Sequence, residues 1–82
     1  MLKELEREFE KLGYTCLLYD GLKNLAVYDD EDTYKVCDVY LDKYDNVLII
    51  IYNDNVMCSH IYLNDIADVH QLVHDVIVLG GD

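Results

Sequence analysis

Proline and tryptophan are absent from this 82-residue chain, glycine occurs four times, and lysine and arginine together number six against seventeen aspartates and glutamates. The lack of proline, with hydrophobic residues at 52%, argues against a disordered acidic tail and for one small domain spanning residues 1–82. The shortage of bases is also positional. Lys43 is the last of them, and residues 44–82 carry six aspartates without a lysine or arginine. Binding to nucleic acid and to anionic membranes is driven by basic side chains that neutralise phosphates, so a formal charge of −11 excludes both as direct partners. No run approaches the roughly 20 apolar residues that cross a bilayer. The start of the chain alternates charge with leucine and has no basic segment ahead of an apolar one, so a cytoplasmic protein is expected.

The motifs that carry catalysis are missing as well. Phosphate chemistry wants a glycine-rich loop that opens a helix, and the glycines here sit at helix stops and a turn. Ser59 is the only serine and falls within an expected strand, without a base at a spacing that would activate it. Carboxylate pairs are abundant, but a working acid and base also need a cleft, which a chain of this size seldom builds. The sequence therefore reads as a non-enzyme without a cofactor. Cys16, Cys37 and Cys58 form no CxxC pair and are expected as buried thiols, their regular spacing reflecting the pitch of successive hairpins. His70 and His74, four residues apart on one side of a helix, could make half of a zinc site, but His60 and Cys58 stand at no ligand spacing that would complete it. The acids of Asp29 to Asp32 and of Asn53-Asp54-Asn55 offer oxygen ligands in loops too short for an EF-hand. No metal site is assigned.

What is present reads as helix, meander, helix. Leu2, Leu5, Phe9 and Leu12 recur at helical spacing among charged residues, and Gly13 follows as a left-handed stop. Five strands are expected next: Tyr14 to Tyr19, Leu25 to Tyr28, Tyr34 to Leu41, Val47 to Tyr52 and Val56 to Leu63. Gly21 is expected to supply the positive backbone angle of the first turn, and the unbroken apolar run from Val47 to mark a mid-sheet strand buried on both faces. Connections this short favour antiparallel pairing. A last helix is expected from a cap at Asn64 or Asp65 to about Leu79, with Ile66, Val69, Val73, Val76 and Ile77 as its apolar stripe and Gly80 and Gly81 as its stop. The fold class is α+β, a five-stranded antiparallel sheet with both helices on one face and the other face partly exposed.

Eight tyrosines against a single phenylalanine are the most informative surplus. Several stand beside an acid at a strand end, as in Tyr28-Asp29, Tyr44-Asp45, and Tyr52 two residues before Asp54. Tyrosine combines a large apolar body with a hydrogen-bonding tip, the combination enriched at interfaces, and aspartates around it fix negative charge. The contact set expected from this clustering is Asp29, Asp30, Glu31, Asp32, Asp42, Asp45 and Asp54, with Tyr28, Tyr44 and Tyr52 as anchors. In size, acidity, helix-plus-meander plan and Tyr-Asp turns the chain resembles phage-encoded inhibitors of host defence, the anti-CRISPR proteins and other DNA mimics. That resemblance implies a basic protein partner, a nucleic-acid-binding effector such as a Cas nuclease, whose groove the acids would occupy. An antitoxin or immunity protein against a nuclease toxin, and a structural homo-oligomer such as a homodimer, are the alternatives.

Overall fold

In a computed structural model, described here for residues 2–29, 31, 34–64 and 67–80, the chain forms helix α1 (Leu2–Lys11), strands β1 (Thr15–Tyr19), β2 (Asn24–Tyr28), β3 (Lys35–Leu41), β4 (Val47–Asn53) and β5 (Val56–Leu63), and helix α2 (Val69–Gly80). α1 buries Leu2, Leu5 and Phe9 on one stripe and turns its charges outward. It stops where the sequence expects. Gly13 takes a φ of 95°, its N–H donates to the Glu10 carbonyl at 3.0 Å, and the Tyr14 N–H reaches back to the Phe9 carbonyl at 3.1 Å. These two bonds satisfy the carbonyls that a helix end leaves without partners. The Tyr14 ring then meets Phe9 edge-on, with centroids 6.0 Å apart, which fixes the direction in which β1 leaves.

The five strands pair antiparallel in the order β1-β2-β3-β4-β5. Both helices lie on one face. There Leu25, Val27, Cys37, Val39, Val47, Ile49 and Ile51 meet Leu2, Leu5 and Phe9 of α1 and Leu72, Val73 and Val76 of α2 in one core.

Four local expectations are corrected. The β1–β2 connection is a short 3-10 turn over Asp20–Leu22, and Lys23, at φ 49°, takes the left-handed conformation expected of Gly21. β4 stands next to the edge strand and β3 is central, because the meander places strands in chain order. Only alternate residues of β4 are fully buried. Leu48, Ile50 and Tyr52 face away from the helices and are half-covered by neighbouring strands, so the apolar run reflects one face in the core and one that no second layer covers. Of the three thiols, Cys37 is buried, Cys16 is intermediate and Cys58 is exposed.

The last correction concerns α2, which begins at Val69 and not after Asn64. The cap is Asp68, whose Oδ1 accepts the Gln71 N–H at 3.1 Å while its carbonyl accepts the Leu72 N–H at 3.0 Å. Asp65, Ile66 and Gly81, named above for cap, stripe and stop, lie outside the described residues. Leu72 joins the stripe that the sequence drew through Val69, Val73, Val76 and Ile77. At the far end α2 comes so close to β4 that a Cβ on Gly80 would stand 2.8 Å from the Ile51 methyl. Asp68→Ala is expected to cost about 1 kcal/mol of stability and Asp68→Asn a few tenths, since Asn caps as well as Asp. Urea unfolding of the two variants checks this, and equal losses would remove the capping role.

Candidate functional site

Because side chains alternate across a strand, the register fixes which residues share the face away from the helices. One cross-strand row reads Tyr19, Asn24, Tyr40, Leu48, Tyr62, and the next reads Leu17, Ala26, Asp38, Ile50, His60. The third brings Tyr28 opposite Lys35 and Tyr52 opposite Met57, after register shifts at Val27/Tyr28 and Ile51/Tyr52. Five of the eight tyrosines thus stand on the uncovered face, which explains why tyrosine and not phenylalanine was used. A tyrosine can lay its ring on the sheet and keep its hydroxyl in water or, as Tyr52 does, give it to a neighbouring carboxylate. Leu17, Tyr19, Tyr40, Met57 and Tyr62 are all exposed. The face away from the helices is therefore rich in exposed apolar and aromatic side chains.

Near the middle of this face lies Asp38, the one buried charged residue among those described, with 3% of its surface accessible. Its Oδ2 accepts hydrogen bonds from Lys35 Nζ at 3.1 Å and from the Tyr52 hydroxyl at 3.0 Å. The Lys35 ammonium also sits 5.6 Å from the ring centroids of both Tyr28 and Tyr52. Two tyrosine faces and a carboxylate therefore hold one ammonium. Desolvation alone would lower the Lys35 pKa, but the hydrogen bond and charge of Asp38 outweigh it and raise the pKa above the ordinary lysine value. Tyr52 is pushed up by desolvation first and then by donating to the Asp38 carboxylate. The face thus neutralises its own charges, while the surplus of acid stands around it.

No family model, curated protein or solved structure matches the chain in comparisons with each. Chemical reading must come from the arrangement itself. The contact residues expected from sequence divide between the two ends of the sheet. Tyr28, Asp29 and Glu31 adjoin the β2–β3 connection, and Tyr52 and Asp54 the β4–β5 turn, at one end. Asp42, Tyr44 and Asp45 form the β3–β4 turn at the other, roughly 20 Å away along the strands. Asp30 and Asp32 lie outside the described residues.

The first group is knit together. The Asp29 N–H donates to the Tyr34 carbonyl at 2.9 Å, and the Lys35 N–H donates to Asn55 Oδ1 at 3.0 Å, tying the β2–β3 connection to the β4–β5 turn. Asp54 and Asn55 both take positive φ, 53° and 64°, the requirement of a tight two-residue hairpin that Asn and Asp tolerate. Asp29, Tyr34, Lys35, Tyr52 and Asp54 consequently line one hollow of about 390 Å³.

The second group is occupied with its own turn. Asp42 Oδ1 accepts the N–H groups of Tyr44 at 2.8 Å and Asn46 at 2.9 Å, and Oδ2 accepts the Asn46 side-chain amide. Desolvation acts to raise the Asp42 pKa but is outweighed by these donors, so the carboxyl lies below the usual aspartate value. Lys43 covers the Tyr44 ring at 5.1 Å. Asp42 therefore shapes a loop.

Tyr19, which also stands beside an acid in Tyr19-Asp20, was not among the expected contact residues, and neither were Tyr40, Tyr62 or the Lys35–Asp38 pair. Parity of position along each strand was the available signal, since Tyr40 follows Asp38 by two and Tyr62 follows His60 by two. Ser59 and His60 occupy opposite faces of β5. Among the described residues no group of three or more His, Cys, Asp or Glu could hold a metal ion, and no helix is long and apolar enough to cross a membrane. His70 is exposed on α2, its Nδ1 3.3 Å from Glu8 Oε2 on α1.

Proposed function

We propose that this chain is an acidic protein-binding inhibitor that sets its uncovered tyrosine face, together with the adjoining end at Asp29, Glu31 and Asp54, against the basic surface of a nucleic-acid-binding protein. The observation that carries this reading is the five-tyrosine face with an internally neutralised centre, bordered at one end by acids that two hydrogen-bonded loops hold in place. Rigid tyrosines supply contact area at low entropic cost, while the acids supply orientation and a fast encounter with positive charge. With so few acids on the tyrosine face itself, the inhibitor combines an aromatic centre with a charged border, a plan distinct from a lattice of phosphate-like carboxylates.

The experiment is a pull-down from bacterial lysate with the tagged chain, run beside two variants, Tyr40→Ala/Tyr62→Ala and Asp29→Asn/Glu31→Gln/Asp54→Asn. A basic nucleic-acid-binding protein should be retained near 0.1 M salt and released near 1 M, where the screening length falls from about 10 Å to about 3 Å. Both variants should fold and lose most of it. Retention that neither variant weakens would defeat the assignment of the surface. A chain that captures nothing and runs as a salt-resistant dimer would be a structural homo-oligomer.

A further inference from the structure

β5 is the longest strand of the sheet and stands at its edge. An edge strand presents unpaired N–H and C=O groups, which proteins ordinarily guard with lysine, proline or another charge, or cover with a further element. β5, reading VMCSHIYL, has none of the guarding residues and contains no Asp, Glu, Lys or Arg. Not one of its residues is fully buried. The opposite edge differs, since β1 is shorter and α1 packs against it, with the Cys16 thiol 3.9 Å from the Glu6 carbonyl oxygen.

A second observation lies beside β5. Between this strand and α2 runs a groove of about 320 Å³, whose apolar floor is Ile61, Leu63 and Leu72 and whose rim carries Asp68 and Asp75. Any strand added to β5 would direct every second side chain over that floor and the remainder toward the outer face.

We infer that β5 receives an extended segment of the basic partner by β-strand addition, whose groove-side positions carry apolar side chains seated on Ile61, Leu63 and Leu72 in turn with lysine or arginine meeting Asp68 and Asp75. The inference deepens the proposed function and rests on its basic partner. Charge chooses this occupant over a second copy of the chain. Two copies joined edge to edge would bring the two α2 helices together with Asp68 and Asp75 on both sides of the seam, and each copy carries a formal charge of −11 with no lysine or arginine after Lys43 to relieve it.

The test needs no knowledge of the partner. An end-capped octapeptide Val-Thr-Lys-Thr-Val-Thr-Lys-Thr, which sends its valines and lysines to one face, is titrated into the labelled chain, with a copy carrying glutamate in place of lysine and a copy broken by a central proline as controls. Amide exchange and cross-strand contacts are read by NMR. The lysine-valine peptide should slow exchange of the outward amides of Val56–Leu63 and show contacts to them, while both controls do not. Asp68→Asn/Asp75→Asn should weaken this about three- to tenfold without loss of fold. Equal binding of the proline copy would mean charge attraction without strand pairing, and protection at the β2–β3 connection in place of β5 would move the site; either result overturns the inference. So would β5 amides already protected in the free chain in proportion to its concentration, which would make a second copy the occupant. A salt-labile partner in the pull-down, joined to a failure here, would leave the tyrosine face standing and remove β5 alone.

Discussion

Lys35→Met is expected to destabilise the chain by about 2 kcal/mol, and the double variant Lys35→Met/Asp38→Leu to regain most of that loss. The single change leaves a carboxylate whose side chain is 5% exposed with the Tyr52 hydroxyl as its remaining donor. Breaking a buried ion pair from one side costs about 3–5 kcal/mol, because an uncompensated charge stays in a poorly solvated place. Here the pair lies beneath an uncovered face and Lys35 is itself 29% exposed, so water can partly replace the ammonium and the smaller figure applies. Replacing both partners with apolar groups removes the desolvation penalty along with the attraction, and such replacements are often neutral. For a domain of this size about 2 kcal/mol corresponds to a fall in Tm of roughly 10 °C, measurable by thermal or urea unfolding. A loss below about 0.5 kcal/mol for the single variant would show that water already serves Asp38. A double variant no better than the single would show that the pair is not the unit of stability. The double variant should also weaken partner binding if the Tyr28 and Tyr52 rings are positioned by the ammonium between them.

Stability is expected to fall above about pH 9, by up to about 3 kcal/mol between pH 8.5 and 10.5, most of it from Cys37 and a smaller part from the half-exposed Cys16. Burial raises the Cys16 thiol to about 12, with help from Glu10 and Glu6, and burial with the Asp38 charge raises Cys37 further. In the unfolded chain both ionise near pH 8.5. A folded pKa above the unfolded value means that the contribution is complete below the unfolded pKa and is lost as pH rises through the interval between the two. Between those limits the native state holds protons that the unfolded state has released, and the buried Cys37 gives a slope of about −1.4 kcal/mol per pH unit while Cys16, partly open to water, gives less. Lys35 and Tyr52, both raised, act in the same direction from about pH 10, and the growing negative charge adds self-repulsion. Urea unfolding in reductant from pH 7 to 10.5 measures the slope. Cys37→Ala should lower the plateau by about 1 kcal/mol for its lost packing and make the slope shallower by about 1.4 kcal/mol per pH unit. A wild-type curve that stays flat from pH 8 to 10 would contradict the burial of Cys37.

The sequence by itself determined the element order, the antiparallel meander and the side of the sheet that meets the helices. Each follows from local rules: period 3.6 over Leu2 to Leu12, alternation from Cys37 to Leu41, and connections too short for any crossover. It also determined the excess of negative charge and the surplus of tyrosine. Tertiary structure decided where these surpluses act. α2 begins at Val69, capped by Asp68, because capping depends on where the chain reaches the sheet, which a choice of Asn64, Asp65 or Asp68 leaves open. The Val47 run resembles a strand buried twice because composition cannot distinguish a second layer from a face covered only by its neighbours. Asp29 and Asp54 became one end, and Asp42 and Asp45 another, through the strand order that joins residues far apart in the chain. The pairing of Lys35 with Asp38 and Tyr52 needed the β3–β4 register, with the shift at Ile51/Tyr52, and no local pattern encodes that placement.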